Sequence, residues 1–410
     1  MVEMKGALPL REIQAGRTAR RIGIAVSGGG DSMALLRYMH AIAKRENVDL
    51  AAVTVNHGLR DEAADEAAFV ARQSATLGIP HETLRWTDRD QTGNLQAEAR
   101  TARYRLLADW AQDEGIAVVM IGHTADDQAE TLMMNLTRGS GVDGLCGMPQ
   151  EFSRYGMRFV RPLLGVPRAG LRAYLEELGQ AWVEDPSNED LRYARVRIRQ
   201  ILTELEPLGL TRQRLLDMAD RMRDAEEVLQ ERMTALAEEI ELHAGDVLLS
   251  EAVFRAAPRD TRHRLLASVL SSLSGQEYRP RFQPLRELAA AGDGVLYGCR
   301  VTTRGGVIRI AREAASLENI TAAPGEIWDR RFRLTGPSEP GDVVRVMGKA
   351  ALGRLPETRD SKIPRTSLMA SPAIWRAGEM IAAPLAGIGE GWQAINVQKR
   401  ADFIQSLLSR

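Results

Sequence analysis

The chain has 410 residues, of which 44% are hydrophobic and 27% charged, a composition typical of a globular protein with two or three domains. The formal net charge of −1 gives no basic surplus, so any contact with nucleic acid must come from local patches. The longest apolar runs fall well short of the roughly 20 residues of a membrane span, and two cysteines, Cys146 and Cys299, cannot form a disulfide framework, so we expect a cytoplasmic protein.

Short strand patterns alternate with helical patterns over residues 20–165. The predicted strands are Ile22–Val26, Leu50–Val55, Glu82–Trp86 and Ala117–Ile121. The predicted helices are Asp31–Lys44, Glu62–Leu77, Leu95–Glu114 and Ala125–Arg138. This alternation predicts an α/β fold, with a parallel sheet covered by helices on both faces. Ligands of such sheets bind beyond the carboxyl ends of the strands.

The pattern changes beyond residue 205. Helical patterns cover Arg212–Glu241, Arg259–Leu273 and Pro284–Ala291, and short strand patterns follow at Val295–Arg300, Gly306–Ile310, Arg331–Leu334 and Asp342–Val346. We therefore expect a catalytic domain over residues 20–200, a mostly helical domain over 205–315 and a small α/β or β-rich domain over 320–410.

A glycine-rich segment joins the first predicted strand to the first predicted helix. Its sequence is Ser27-Gly28-Gly29-Gly30-Asp31-Ser32. Glycines let the backbone approach an anion closely, and a helix N-terminus offers free N–H groups and a favourable dipole. Asp31 would repel phosphate unless a cation lies between them, which suggests Mg²⁺. A plain strand-to-helix turn, with Asp31 favourable in the first helical turn, is the alternative.

Two other nucleotide motifs are excluded. The segment lacks the Lys of G-x-x-x-x-G-K-[ST], so it is not a Walker P-loop. Residues 139–144 match G-x-G-x-x-G, but they follow a helix instead of a strand, so the dinucleotide-binding interpretation fails.

Three further segments place polar residues at strand ends or helix starts. They are Val55–Arg60 with His57, Gly93–Tyr104 with Arg100 and Arg103, and Gly122–Thr131 with Asp127 and Glu130. Asp127 and Glu130 are three residues apart, share one helix face and would bind an ammonium group. The alternatives are a packed His57, a solvated arginine face, and an Asp127 that forms a capping box with Thr124.

A basic segment follows Trp182-Val183-Glu184-Asp185-Pro186-Ser187-Asn188. It contains four arginines, namely Arg192, Arg195, Arg197 and Arg199. Such a run commonly solvates a helix face. It also offers the local positive charge that RNA binding would require.

The glycine-rich loop resembles the PP-loop of N-type ATP pyrophosphatases, which cleave ATP between the α- and β-phosphates. In order and spacing, the four motifs are similar to those of the tRNA(Ile)-lysidine synthetase family over residues 20–200. The resemblance implies ligation of lysine to C2 of the wobble cytidine of tRNA(Ile) with a CAU anticodon, through an adenylated tRNA, with release of AMP and pyrophosphate. The sequence leaves a homodimer open.

The resemblance also implies roles for individual residues. Asp31, Arg103 and Asp127 would be catalytic, Asp31 would bind Mg²⁺, and Asp127 and Glu130 would bind lysine. ATP would be bound by Ser27, Gly28, Gly29, Gly30, Asp31, Ser32, His57 and Arg100. Residues Arg195, Arg197 and Arg199, together with the helical domain, would contact tRNA. The sequence departs from the family where Arg195-Val196 stands in place of the usual Arg-Asn.

Other functions fit the sequence less well. A tRNA thiolase needs reactive cysteines or an iron–sulfur cluster, and Cys146 and Cys299 are not in a C-x-x-C pair. An amidotransferase-type synthetase would need a glutaminase domain, which the sequence does not indicate. A non-catalytic RNA-binding protein would not need Asp31, Asp127 and Glu130 together.

Overall fold

The computed structural model describes residues 21–58, 62–87, 95–184, 190–276, 278–353 and 363–408. The chain divides into two compact units, the first ending at Glu226 and the second beginning at Glu227. The three-domain division expected from the sequence stays a prediction. Within the described ranges, no helix is both long enough and apolar enough to cross a membrane.

A six-stranded sheet forms the centre of the first unit, in the order β3-β2-β1-β4-β6-β5. Its strands are β1 (Arg21–Ala25), β2 (Asp49–Asn56), β3 (His81–Arg85), β4 (Val118–Ile121), β5 (Glu151–Arg154) and β6 (Met157–Val160). All neighbours pair in parallel except β5, which forms an antiparallel hairpin with β6. The four strands predicted from the sequence are confirmed, whereas the β5–β6 hairpin was not predicted.

Helices cover both faces of this sheet, as the sequence predicts. They are α1 (Gly30–Glu46), α2 (Ala63–Thr76), α3 (Leu95–Asp113), α4 (Ala125–Thr137), α5 (Val142–Leu145), α6 (Arg168–Glu177) and α7 (Ala194–Leu205). Side chains of α1 and α6 form one buried cluster with Ile22 and Ile24 of β1. Side chains of α3 form a separate cluster with Ala51 and Val53 of β2. Successive strand residues point to opposite faces of the sheet, so the helices on each face cover apolar side chains.

The second unit is built mainly on antiparallel sheets. A five-stranded sheet has the order β7-β8-β11-β10-β9, and two three-stranded sheets have the orders β12-β13-β17 and β14-β15-β16. The strands of the first are β7 (Glu241–His243), β8 (Asp246–Ser250), β9 (Gly294–Leu296), β10 (Cys299–Arg304) and β11 (Val307–Arg312). Those of the others are β12 (Ile327–Trp328), β13 (Phe332–Thr335), β14 (Val343–Val346), β15 (Pro372–Arg376), β16 (Glu379–Ala382) and β17 (Gln393–Asn396).

The remaining helices are α8 (Arg212–Ala237), α9 (Glu251–Ala256), α10 (Arg259–Ser274), α11 (Phe282–Ala291), α12 (Gly348–Leu352), α13 (Arg365–Met369) and α14 (Arg400–Leu408). The long helix α8 ends at Ala237 and not at the predicted Glu241, because strand β7 begins at Glu241. Residues of α10, α11 and α14 pack with the five-stranded sheet in one apolar cluster.

The parallel pairing of β1, β2 and β4 decides where the sequence motifs meet. The carboxyl ends of parallel strands lie at the same edge of a sheet. The glycine-rich loop follows β1, His57 follows β2, and the segment from Gly122 to Glu130 follows β4. Three of the four motifs therefore converge at one edge. Parts of the motifs lie outside the described residues, namely Leu59 and Arg60 after His57, Gly93 and Asn94 before α3, and residues 185–188.

Candidate active site

The glycine-rich loop is closed by its own hydroxyl groups and by a distant segment. The Ser27 N–H donates to Ser32 Oγ (3.1 Å), and the Ser32 hydroxyl donates to the Gly29 carbonyl (2.9 Å). The Val183 N–H donates to the Gly28 carbonyl (2.9 Å). Gly28 has a φ of +92°, which strains any residue with a side chain. Gly29 supplies no side-chain cap to α1, so the first turn of this helix favours an anion.

The segment after β4 lies directly against the start of α1. A Cβ atom added at Gly122 would be 3.1 Å from both the Asp31 carbonyl oxygen and the Ser32 Cα. Such a contact is tighter than most real Cβ contacts, so a side chain here would push the two segments apart by a few tenths of an ångström, and glycine permits the closer approach. The approach brings Asp127 and Glu130 of α4 near Asp31.

Arg168, at the start of α6, joins the three predicted carboxylates. Its Nε donates to Asp31 Oδ2 (3.0 Å), and its Nη2 donates to Asp127 Oδ1 (3.0 Å). Its Nη1 lies 3.6 Å from Glu130 Oε1. Burial disfavours the charged guanidinium, but Asp31 and Asp127 outweigh burial and raise the pKa of Arg168 above its usual range. The sequence does not single out Arg168, because a single arginine at a helix start carries no distinctive pattern.

Asp31 and Asp127 respond differently to this shared arginine. Burial raises the pKa of the Asp31 carboxyl above its ordinary value, although Arg168 opposes the increase. For Asp127, burial is outweighed by Arg168, Arg195 and the Thr124 N–H, and the pKa lies below its ordinary value. Asp127 is therefore held as a carboxylate, whereas Asp31 would be stabilised by one more cation nearby.

This environment of Asp31 fits a magnesium ion that arrives with a nucleotide. Within the described ranges, no group of three His, Cys, Asp or Glu residues could hold a metal by itself. Mg²⁺ commonly uses one or two carboxylates together with substrate phosphates instead of a cage made only of protein. Asp31, partly exposed in the first turn of α1 beside the phosphate loop, supplies such a carboxylate.

Asp127 forms the capping box that the sequence offered as an alternative. Its Oδ2 accepts from the Thr124 N–H (2.8 Å) and from the Thr124 hydroxyl (2.9 Å). The Asp127 N–H donates to Thr124 Oγ1 (3.3 Å). The other oxygen, Oδ1, faces Arg168. The capping interpretation is confirmed, and it leaves one oxygen of Asp127 for a cation.

Glu130 is surrounded by arginines from two helices. Its side chain is 2% exposed, and Arg199 Nε donates to its Oε1 (2.9 Å). Arg195 Nε lies 3.1 Å from its Oε2. Arg197 instead donates to the carbonyls of Leu191 and Arg192. The three arginines predicted to contact tRNA therefore divide into two sets, since Arg195 and Arg199 neutralise a predicted lysine-binding residue.

His57 lies beside Arg103, as expected if both serve one site. Arg103 Nε and Nη2 lie 3.2 and 3.1 Å from His57 Nε2. Arg103 Nε donates to His57 Nε2, which accepts. Arg100 instead stacks over the Tyr104 ring, 5.3 Å from the centroid. Of the two arginines predicted on α3, only Arg103 contacts His57 in this arrangement.

His123, between β4 and α4, is a half-buried neutral histidine. Arg161 Nε donates to its Nδ1 (3.2 Å), and the Arg161 guanidinium stacks 4.1 Å from the centroid of Phe152. Burial, followed by the positive charge of Arg161, lowers the pKa of His123 to about 3. The sequence does not indicate that His123 is neutral, because its partner Arg161 lies far from it in the chain, after β6.

Comparisons with known proteins agree with these motifs. A family model described as a PP-loop domain matches residues 3–206. The tRNA(Ile)-lysidine synthase of Ruegeria pomeroyi is 44% identical, over 98% of this chain and 97% of that protein. The tRNA(Ile)-lysidine synthase of Rhodopseudomonas palustris is 43% identical, over 67% of this chain and 81% of that protein. A solved U34-tRNA thiolase, NcsA from Methanococcus maripaludis, covers 52% of this chain and 76% of its own, with a TM-score of 0.45 and 19% identity.

Replacing His123 by Asn should make stability less sensitive to acid. The unfolded chain takes up a proton at this position below pH 6.5, whereas the folded protein does so only near a pKa of about 3. His123 therefore destabilises the fold as pH decreases through this interval, by up to about 1.4 kcal/mol per pH unit. Urea unfolding of both proteins at several pH values measures the slope. An equal slope in the two proteins would contradict a neutral His123.

Proposed function

Because the chain belongs to the tRNA(Ile)-lysidine synthase family, we propose that it uses ATP to join lysine to C2 of the wobble cytidine of tRNA(Ile) with a CAU anticodon. The products are lysidine-containing tRNA, AMP and pyrophosphate. The observation that carries the proposal is the position of Asp127 and Glu130, which one arginine side chain connects to Asp31 at the phosphate loop. The proposed lysine-binding site thus adjoins the proposed nucleotide-binding site.

The reaction proceeds in two steps. The carbonyl oxygen at C2 of the cytidine attacks the α-phosphate of ATP, the bond between the α- and β-phosphates breaks, and pyrophosphate leaves. The side-chain ammonium of lysine then loses a proton to water, the resulting amine attacks C2, the bond from C2 to the AMP oxygen breaks, and AMP leaves as the attached nitrogen gives up a further proton. The base must be unstacked from the anticodon loop to reach the site, as in other enzymes that modify bases.

The nucleotide end of the site is formed by the loop and its neighbours. The first turn of α1, without a side-chain cap, binds phosphate oxygens through its N–H groups. Asp31 would hold Mg²⁺, which would supply charge neutralisation of the phosphates when bound. His57 and Arg100 contact the nucleotide, and Arg103 offers positive charge to the reacting phosphate. The contact between Arg103 and His57 fixes the direction of this guanidinium.

The lysine end of the site depends on charge in a buried setting. Both Asp127 and Glu130 are buried, and a carboxylate in that setting binds a cation strongly. Thr124 already occupies Oδ2 of Asp127, which leaves Oδ1 for the ammonium group of lysine. Glu130 contributes a second carboxylate from the next turn of α4. The two acids therefore recognise an amine by charge and by direction.

Sulfur transfer is not supported by the cysteines. Both Cys146 and Cys299 are free. Burial raises the pKa of the Cys299 thiol, which disfavours the reactive thiolate. A cytoplasmic location is part of the proposal, because the similar tRNA(Ile)-lysidine synthases act on tRNA.

The first test of this function is the identity of the products and their dependence on Asp31. With tRNA(Ile), lysine and ATP, the protein should release AMP and pyrophosphate. Asp31→Ala should reduce the rate of pyrophosphate release about a hundredfold, as for other deleted electrostatic stabilisers. Asp49→Ala, an exposed carboxylate at the amino end of β2, is the control and should retain the rate. Release of ADP and phosphate would contradict the proposed chemistry.

A second test separates lysine binding from helix capping. Glu130 does not belong to the capping box, so Glu130→Gln removes charge without removing the cap. It should raise the KM for lysine about tenfold or more, because a hydrogen bond to a charged group contributes about 1.5–3 kcal/mol. Adenylated tRNA should still form and accumulate, as detected with ATP labelled in the α-phosphate.

The companion variant and the control complete this test. Asp127→Asn should show the same defect, together with a loss of about 0.5–2 kcal/mol in stability from a weakened cap. Glu204→Gln, an exposed residue on α7, should retain the wild-type KM. Variants at Asp127 and Glu130 that melt at lower temperature but keep the wild-type lysine KM would reduce both residues to structural roles.

A third test concerns the arginines proposed to contact tRNA. Arg197 is exposed, and no carboxylate among the described residues pairs with it, whereas Arg195 and Arg199 are held by Glu130. Arg197→Ala should lower the log–log salt dependence of tRNA binding by about one unit if it makes one phosphate contact. Arg45→Ala, which removes an exposed arginine paired with Glu46, is the control. An unchanged slope for Arg197→Ala would mean that this residue only solvates its helix.

A further inference from the structure

Arg168 is the only described side chain that pairs with carboxylates at both proposed ends of the site. Its Nε binds Asp31 in the first turn of α1, at the nucleotide end. Its Nη2 binds Asp127, and its Nη1 lies near Glu130, at the lysine end. The guanidinium is planar and its donors are fixed in direction, so one movement of the side chain changes all three contacts.

The contacts of Asp127 make Arg168 a competitor of the substrate. Asp127 Oδ2 is held by two hydrogen bonds from Thr124, so a bound ammonium must use Oδ1. Oδ1 is the atom to which Arg168 donates. A guanidinium and an ammonium repel one another when both adjoin one buried carboxylate. The more firmly Arg168 is bound to Asp127 Oδ1, the weaker the binding of lysine becomes.

A bound nucleotide acts on the other side of the same guanidinium, where Arg168 binds Asp31. Phosphate oxygens bound at the start of α1 offer Arg168 a second set of acceptors, and arginine matches phosphate geometry well. A cation that accompanies the nucleotide would also take over the charge of Asp31. Both effects weaken the hold of the carboxylates on Arg168. When Arg168 turns toward the phosphates at one end, it therefore frees Asp127 Oδ1 at the other end and leaves Glu130 to Arg195 and Arg199.

We propose that Arg168 is a positioning residue that couples nucleotide binding to lysine binding, by competing with the lysine ammonium for Asp127 until ATP attracts its guanidinium away. The proposal rests on the lysine-binding role given above to Asp127 and Glu130. Arg195 and Arg199 do not share this property, because they pair with Glu130 at the lysine end and not with Asp31. The backbone of Arg168 stays in place through its N–H, which donates to Asp126 Oδ2 (2.7 Å).

The coupling has an unusual signature when Arg168 is removed. Arg168→Gln should bind lysine more tightly than the wild type when no nucleotide is present, since the internal competitor is absent. A variant that merely damaged the site would instead bind lysine more weakly. This opposite direction distinguishes a positioning role from a structural one.

The experiment measures lysine binding by calorimetry, with and without a non-hydrolysable α,β-methylene analogue of ATP and Mg²⁺. In the wild type, the analogue should tighten lysine binding about fivefold or more, the lower end of ordinary coupling between two sites. In Arg168→Gln, the analogue should change lysine affinity by less than about twofold. Arg172→Gln, one turn along α6 and paired with Glu184, is the matched control and should behave as the wild type.

Arg168→Lys provides a second variant in case the neutral one does not fold. It keeps a positive charge among the carboxylates, but its ammonium lacks the planar fork that reaches both ends. The effect of the analogue on lysine binding should again fall below about twofold. Thermal melting of each variant establishes that the folded protein is being measured.

Three results would overturn the proposal, and they are distinguishable. If both Arg168 variants retain the wild-type coupling between nucleotide and lysine binding, another residue must be responsible for it. A wild type that binds lysine equally with and without the analogue would remove the coupling but leave the lysine site. A wild type that binds no lysine in either condition would contradict the lysine role of Asp127 and Glu130, and the coupling with it.

Discussion

A carboxylate that is buried in a protein requires a cation or hydrogen-bond donors close to it, and this requirement organises the edge of the central sheet. Asp31, Asp127 and Glu130 approach one another because the segments after β1 and β4 emerge side by side. Their mutual repulsion is offset by Arg168, which contacts all three. Arg168 therefore holds the three carboxylates together, while α6 packs against α1 through buried apolar side chains such as Leu171 and Leu175.

The sequence predicted the parts of this arrangement that depend on local pattern. The alternation of strands and helices, the glycine-rich loop and the capping box at Thr124 follow from residues that are neighbours in the chain. Arg168 could not be predicted in this way, since its partners Asp31 and Asp127 lie far away in sequence. The β5–β6 hairpin was missed because its four-residue strands mix polar and apolar residues. Strand β4 is equally short, but it is a continuous apolar run and was therefore predicted.

The basic segment shows a different limit. Helical periodicity places Arg195 and Arg199 four residues apart on one face and turns Arg197 away from them, so their separation was available from the sequence. Their partner Glu130 was not available, because nothing local indicates which acid faces a given helix. Val196, the departure from the family pattern, is buried in α7, so its place between the arginines serves packing.

The hydrogen bond from Val183 to the Gly28 carbonyl has a consequence for biosynthesis. It joins the beginning of the first unit to a segment that a ribosome makes much later, and contacts of such high sequence separation form slowly. Strand β1 and the residues of the loop leave the ribosome early, yet the loop obtains its last backbone partner only after α6 has been made. A nascent chain that ends before Val183 thus carries the whole glycine-rich loop without the backbone hydrogen bond that holds its shape.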